Sequence, residues 1–179
     1  EGWEAEVRLV VDIAYPSQRI VQALQAFKPL SRDCRVLLRE EVLSGTEELL
    51  HDGAADIAIS VLNIIGYLPI ELGSITFVAV AHHQHPLHQL GRKLSATDLS
   101  AHMQMVVRDS GQRQPRDVGW LGAEQRWTVT SLATSAEFIR AGLGFAWLPE
   151  HMVAADLASG LLKKLPLQTS SVRHQPFYL

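Results

Sequence analysis

The chain has 179 residues, 47% of them hydrophobic and 20% charged, with a formal net charge of −3. That composition belongs to a globular protein with enough apolar mass for one ordinary domain or two small lobes. Arg and Lys are dispersed, which excludes a phosphate-binding surface in this segment. No stretch approaches the ~18 unbroken apolar residues of a membrane span.

The first residues, EGWEAEVRLVV, contain no Met, no basic leader and no cleavable apolar segment. We therefore expect no secretory signal, and expect a natural N-terminal part to be missing. A single cysteine, Cys34, excludes an internal disulfide framework and fits a reducing cytoplasm. A lone Cys is more often a packing residue than a redox sensor.

Val7 to Ile13 is a nearly continuous apolar run, the pattern of a strand buried on both faces. Asp12 interrupts it near the C-terminal end, where it reads either as a turn partner for the next helix or as a ligand-facing carboxylate. Tyr15-Pro16-Ser17 opens a helix striped by Ile20, Val21, Leu24 and Phe27 and ended by Pro29. Arg35 to Val42 alternates as a strand. Ser44 and Glu47 have capping-box spacing, Gly53 stops that helix, and Asp56 to Ser60 is the next strand.

Asn63 to Ser74 reads as a loop and Ile75 to Ala81 as a strong strand. His82, His83, His85 and His88 follow, but their spacing matches no common zinc pattern, so a solvated loop is expected and no metal. Ser95 and Asp98 form a second box-like cap, and Met103 to Val107 is a strand leading into Arg108-Asp109-Ser110. Gly111 to Gln125 is a polar loop whose Trp120 either stacks on a ligand or anchors the loop itself.

Val129 and Thr130 end a β-branched strand, and Ser131 caps a helix with Leu132, Ala136 and Ile139 on one face. Gly142 stands where that helix must turn left-handed, and Phe145 to Leu148 resume as a strand. A helix start directly after a strand aims unpaired N–H groups above the sheet edge, so Ser131 is a candidate ligand contact as well as a cap. A helix from Pro149 to Ser159, an extended Leu161 to Leu165 and a strand from Val172 to Leu179 complete the order.

Alternating strands and helices imply α/β architecture, with parallel sheets and helices on both faces. Ligand sites in such sheets lie beyond the C-terminal strand ends. Those ends carry Asp12, Ala14 and Tyr15; Ser60 and Val61; Arg108, Asp109 and Ser110; and Thr130 and Ser131. The motifs of serine hydrolases, zinc proteases, P-loops, dinucleotide folds and thiol oxidoreductases are all missing, so neither an enzyme nor a cofactor is expected.

Gly53-x-x-Asp56-x-Ala58-Ile59, His85-Pro86-Leu87, Gly142-x-Gly144-x-x-x-Leu148-Pro149 and Ser159-Gly160 occur in one order along almost the whole chain. Together they resemble the effector-binding domain of LysR-type transcriptional regulators. The resemblance implies two Rossmann-like subdomains with a ligand cleft between them, a type 2 periplasmic-binding-protein-like fold. The subdomains are expected at residues 1–77 plus 164–179, and 78–163.

It further implies pocket positions at Tyr15, Pro16 and Ser17, at Ser60, at Arg108 to Ser110, at Val129 to Ser131, and at Phe145. The expected ligand is a small anionic or zwitterionic organic molecule. The expected partners are a homodimer or homotetramer, DNA through a missing N-terminal winged helix-turn-helix, and RNA polymerase, with no membrane. The alternative on the same fold is an exported solute-binding protein that feeds a transporter.

Overall fold

In the computed structural model, which describes residues 5–31 and 33–179, the chain packs as two compact units. The first holds the residues up to Ser74 together with Asp109–Arg116 and Pro176–Leu179. The second holds Ile75–Arg108 and Asp117–Gln175. Residues 164–175 thus lie in the second unit, and the segment after Arg108 lies in the first.

The first unit is a βαβαβ succession: β1 (Glu6–Asp12), α1 (Ser17–Phe27), β2 (Arg35–Glu41), α2 (Ser44–His51) and β3 (Ile57–Ile59). Its three strands are parallel in the order β2-β1-β3, with Leu9 beside Leu38 and Val10 beside Ala58. The apolar run of β1 makes it the central strand, and Val10 and Val11 are buried. Val10 packs with Ala55, Ala58 and Ile64 in the core, flanked by Leu49 and Leu50 of α2. At the far end of the sheet Arg8 clamps Asp56 through both Nε and Nη2 and donates to the Gly53 carbonyl. A carboxylate gripped in this two-pronged way is the strong form of ion pair.

β2 departs from expectation. Its alternation predicts one buried face, yet Val36, Leu37 and Leu38 are all exposed on this edge strand. The Asn63–Ser74 stretch is also not all loop, because the next strand begins at Glu71.

The second unit is built on β4 (Glu71–His82), followed by α3 (Pro86–Gln89), α4 (Ala96–Ser100), β5 (Gln104–Val107), β6 (Arg126–Val129), α5 (Leu132–Arg140), β7 (Phe145–Pro149), α6 (Glu150–Ser159), β8 (Leu162–Lys164) and β9 (Val172–Tyr178). Its strand order is β6-β5-β7-β4-β8, with β9 also pairing with β4. β5 runs parallel to β6 and β7, whereas β4 runs antiparallel to β7 and β8. The sheet is therefore mixed, a correction to the all-parallel expectation. Periodicity reports which residues face inward and says nothing about strand direction.

The β4–β7 register pairs Ala79 with Trp147 and Ala81 with Phe145. These side chains join Leu87, Leu94, Leu99, Leu165 and Leu167 in one apolar cluster. In this unit α4 and α5 follow their sequence signals closely. Ser95 and Asp98 form a full capping box, Leu132, Ala136 and Ile139 are buried on α5, and Gly142 has φ +78° after its last turn.

The histidine-rich stretch is not a plain loop, because His85 caps α3 by accepting from the Leu87 N–H. No three His, Cys, Asp or Glu side chains converge as a metal-binding group among the described residues. Nor is any helix among them long and apolar enough to cross a membrane.

Candidate functional site

The C-terminal strand ends of the first unit collect buried polar side chains. Asp12, Ser44, Thr46, Ser60 and Asp109 are each no more than 4% exposed. Burying so many polar groups is costly unless each finds a partner, so their hydrogen bonds show how the site is built.

Asp12 ends β1. Its Oδ1 accepts from the Ala14 N–H at 2.9 Å, folding the turn into α1, and its Oδ2 accepts from the Leu43 N–H at 2.9 Å. One carboxylate thus ties the β1–α1 junction to the β2–α2 junction. It has no cationic partner among the described residues. Burial pushes its pKa up to about 6, the two backbone N–H groups work against that, and the nearby charge of Asp109 adds to it.

Asp109 is tied down more completely. It accepts from the Ser44 N–H at 3.1 Å, the Ser44 hydroxyl at 2.7 Å, the Gly111 N–H at 2.9 Å and the Arg116 N–H at 2.7 Å. Ser110 accepts from the Val42 N–H and donates to the Val42 carbonyl. Both side chains are therefore occupied in fastening the segment after Arg108 onto the start of α2. The sequence expectation of a Ser44–Glu47 capping box is corrected by the same contacts. No side chain of α2 itself caps it, the Ser44 hydroxyl turns to Asp109, and a carboxylate from 65 residues downstream sits at the helix start. A negative group is favoured there by the helix dipole.

A hydroxyl relay lies alongside. Thr46 Oγ1 is 2.8 Å from the Leu43 carbonyl and 3.0 Å from Ser60 Oγ, which accepts from the Leu62 N–H at 3.0 Å. Each hydroxyl has one proton. The set closes when Ser60 donates to Thr46 and Thr46 donates to Leu43. Sequence reading missed Thr46 and took Ser44 only as a cap. Their one signal was a Ser-Gly-Thr triplet at a helix start.

The two helix starts of this unit differ. α2 is closed by Asp109, whereas α1, with Pro16 at its N-cap, has no side-chain cap and no acidic residue in its first turn. Beside it, Tyr15 packs against Phe177 at 5.2 Å between ring centroids, and Arg19 lies over the Tyr15 ring. Ala14 and Val61 are buried, while Ser17 is exposed.

In the second unit, the Arg108 N–H donates to the Val129 carbonyl, joining the ends of β5 and β6, and the Arg108 side chain is exposed. Thr130 is exposed too, and Ser131 caps α5 through its hydroxyl and the Thr134 N–H at 3.4 Å. Phe145 is fully buried in the apolar cluster. Trp120 packs on that cluster, 6.1 Å from Phe145 between ring centroids, and its carbonyl accepts from Gln104 Nε2. In this structure Trp120 anchors its own loop.

Comparison with known proteins places this arrangement. The family model of the LysR substrate binding domain matches residues 1–179. A probable HTH-type transcriptional regulator of Escherichia coli strain K12, YhaJ, is 27% identical over 175 residues, covering 95% of this chain and 58% of its own. The chain thus spans little more than half the length of the curated relatives it matches.

Among solved structures, the C-terminal domains of a LysR family protein from Agrobacterium tumefaciens superpose with a TM-score of 0.75 at 16% identity, over 98% of this chain and 86% of that one. Full-length LysG from Corynebacterium glutamicum with bound effector Arg gives 0.70 at 22% identity, over 97% and 59%. These neighbours share the type 2 periplasmic-binding-protein-like fold expected from the sequence. With the family match running from residue 1 to residue 179, the chain belongs to the LysR substrate-binding domain family.

Proposed function

We propose that the effector is a small zwitterion whose amino group meets Asp12 and whose acid group meets the open start of α1. The observation that carries this reading is their adjacency at one strand–helix junction: a buried carboxylate without a cationic partner, and a helix start without a side-chain cap. An ammonium beside Asp12 offsets the cost of its burial, and a carboxylate accepts from the free N–H groups of the first turn. Ser17 adds a hydroxyl and Tyr15 an apolar wall. LysG with its bound effector Arg is a precedent within the fold for a ligand bearing both groups.

The role is binding rather than catalysis, exerted in the cytoplasm. The whole protein is proposed to assemble as a homodimer or homotetramer and to hold DNA through a preceding helix-turn-helix, with RNA polymerase as a further partner. The effector biases that assembly only as far as it binds its two states unequally.

The test is a thermal-shift screen with amino acids, their carboxamides and their N-acetyl forms, on the wild type and on Asp12→Asn. A ligand at ~100 times its Kd adds ~2.7 kcal/mol, which is a rise of roughly 5–11 °C for a chain of this size. The free amino acid is expected to stabilise the wild type, with the effect lost on N-acetylation and in Asp12→Asn. Stabilisation that survives both changes would sink the reading.

A further inference from the structure

Arg173 on β9 is half-buried, and no carboxylate pairs with it among the described residues. Its guanidinium lies over the Phe77 ring at 5.2 Å and over the Trp147 ring at 6.0 Å from the centroids. Gly119 lies against it, where a Cβ would come 2.9 Å from Arg173 Nη1. Six other arginines, at positions 8, 39, 92, 113, 116 and 140, sit against a named acid.

The aromatic faces offset part of the cost of holding this charge away from water. They leave the N–H edge of the guanidinium unanswered. Its Nε–H is buried and finds no acceptor, and the Nε1–H of Trp147 is likewise buried without one. A buried indole N–H usually has a partner, and a buried charge nearly always does. These two orphan donors lie on strands that both pair with β4. Trp147 is paired with Ala79, and the Ala79 N–H donates to Ser171, two residues before Arg173. Desolvation alone lowers the pKa of Arg173, with no acid to raise it again.

We infer that Arg173 and Trp147 form an oxyanion site in the second unit that takes a small organic carboxylate. The flat guanidinium edge matches the two oxygens of a carboxylate in a bidentate pair, and the indole N–H supplies a third bond to one of them. Phe77 holds the guanidinium plane, and the missing side chain at position 119 leaves it room. The site is made of residues of the second unit and stands apart from the Asp12 reading.

The test follows the Trp147 indole N–H resonance of the 179-residue protein, assigned with Trp147→Phe, during titration with propionate and with benzoate at constant ionic strength. A saturable shift is expected with each acid. It should weaken at least tenfold in Arg173→Gln, recover in part in Arg173→Lys, and stay unchanged in Asp12→Asn, so failure here is separable from failure of the zwitterion reading. No saturable shift in the wild type would overturn the inference. So would an equal shift in Arg173→Gln, provided that variant keeps the wild-type melting temperature. If it melts lower, Arg173→Lys decides: no recovery there means the arginine only braces the Gly119 loop.

Discussion

Replacing Asp109 with alanine removes the acceptor that closes the start of α2. Four donors use that carboxylate: the Ser44 and Gly111 N–H groups on Oδ1, and the Ser44 hydroxyl and Arg116 N–H on Oδ2. Ser44 and Gly111 are buried and Arg116 is exposed, so water can replace the bond to Arg116 but not readily the other two N–H bonds. A buried donor left unsatisfied costs about 1–3 kcal/mol, and loss of the negative charge at the helix start adds roughly 0.5 kcal/mol. The expected destabilisation is about 3–5 kcal/mol, a large share of a typical domain's stability. Asp109→Asn separates the contributions. An asparagine oxygen at the Oδ1 position still serves both buried N–H groups, and its NH₂ can donate to a reoriented Ser44 hydroxyl, so only Arg116 loses its acceptor. That variant should cost about 1–2 kcal/mol. Three of the four tryptophans, Trp120, Trp127 and Trp147, lie in the second unit, so urea unfolding should be followed by circular dichroism, which samples both units, rather than by tryptophan emission. Asp109→Ala within ~1 kcal/mol of wild type, or Asn as costly as Ala, would refute the capping role.

Three further outcomes are expected. The folded pKa of Asp12, raised to about 6, lies above its unfolded value, so its contribution is fully present at low pH and is lost as pH rises through about 6. Asp12→Asn should therefore gain on the wild type by about 2 kcal/mol between pH 4 and 7 in denaturant titrations; a constant difference would contradict the burial argument. His85 shows the opposite sign. Burial, then the neighbouring His102, His88 and His82, lower its pKa to about 4, so stability present above about pH 6.5 is lost as pH falls towards 4. His85→Gln should flatten that acid limb by roughly 1–2 kcal/mol, and an unchanged limb would place the transition elsewhere. At Gly144 an added Cβ would overlap the Met103 carbonyl, so Gly144→Ala should lower stability by about 2–4 kcal/mol in the same unfolding assay, with a loss under ~1 kcal/mol showing that the backbone can give way.

How much of this was legible in the sequence depended on how local each cause was. The α5 stripe, the Ser131 cap, the turn at Gly142 and the Ser95–Asp98 box follow from residues within one helix and its flanks, and they appear where the spacing put them. Asp12 could be flagged because a carboxylate ending an apolar strand is costly wherever the fold puts it. The cap on α2 could not be read from Ser44 and Glu47, since the group that captures Ser44 arrives from position 109. Thr46 was missed for a related reason. Its significance comes from Ser60, on a different strand, and no period of 2 or 3.6 links them. Strand direction in the second unit was equally invisible, because alternation looks the same whether a neighbouring strand runs up or down.

The fastening of residues 109–116 onto α2 also sets an order of events during synthesis. The sheet of the first unit is spelled out by residue 59, yet the start of its second helix stays open until position 109 has been made. Its pairing at Ser60 waits longer still, for Tyr178. A nascent chain arrested before Asp109 would carry a βαβαβ fragment with an uncapped α2, and such long-range closures slow folding more than they weaken the finished protein. Protease resistance of the first unit should therefore appear late on the ribosome, in step with its distant stretches rather than with its own strands.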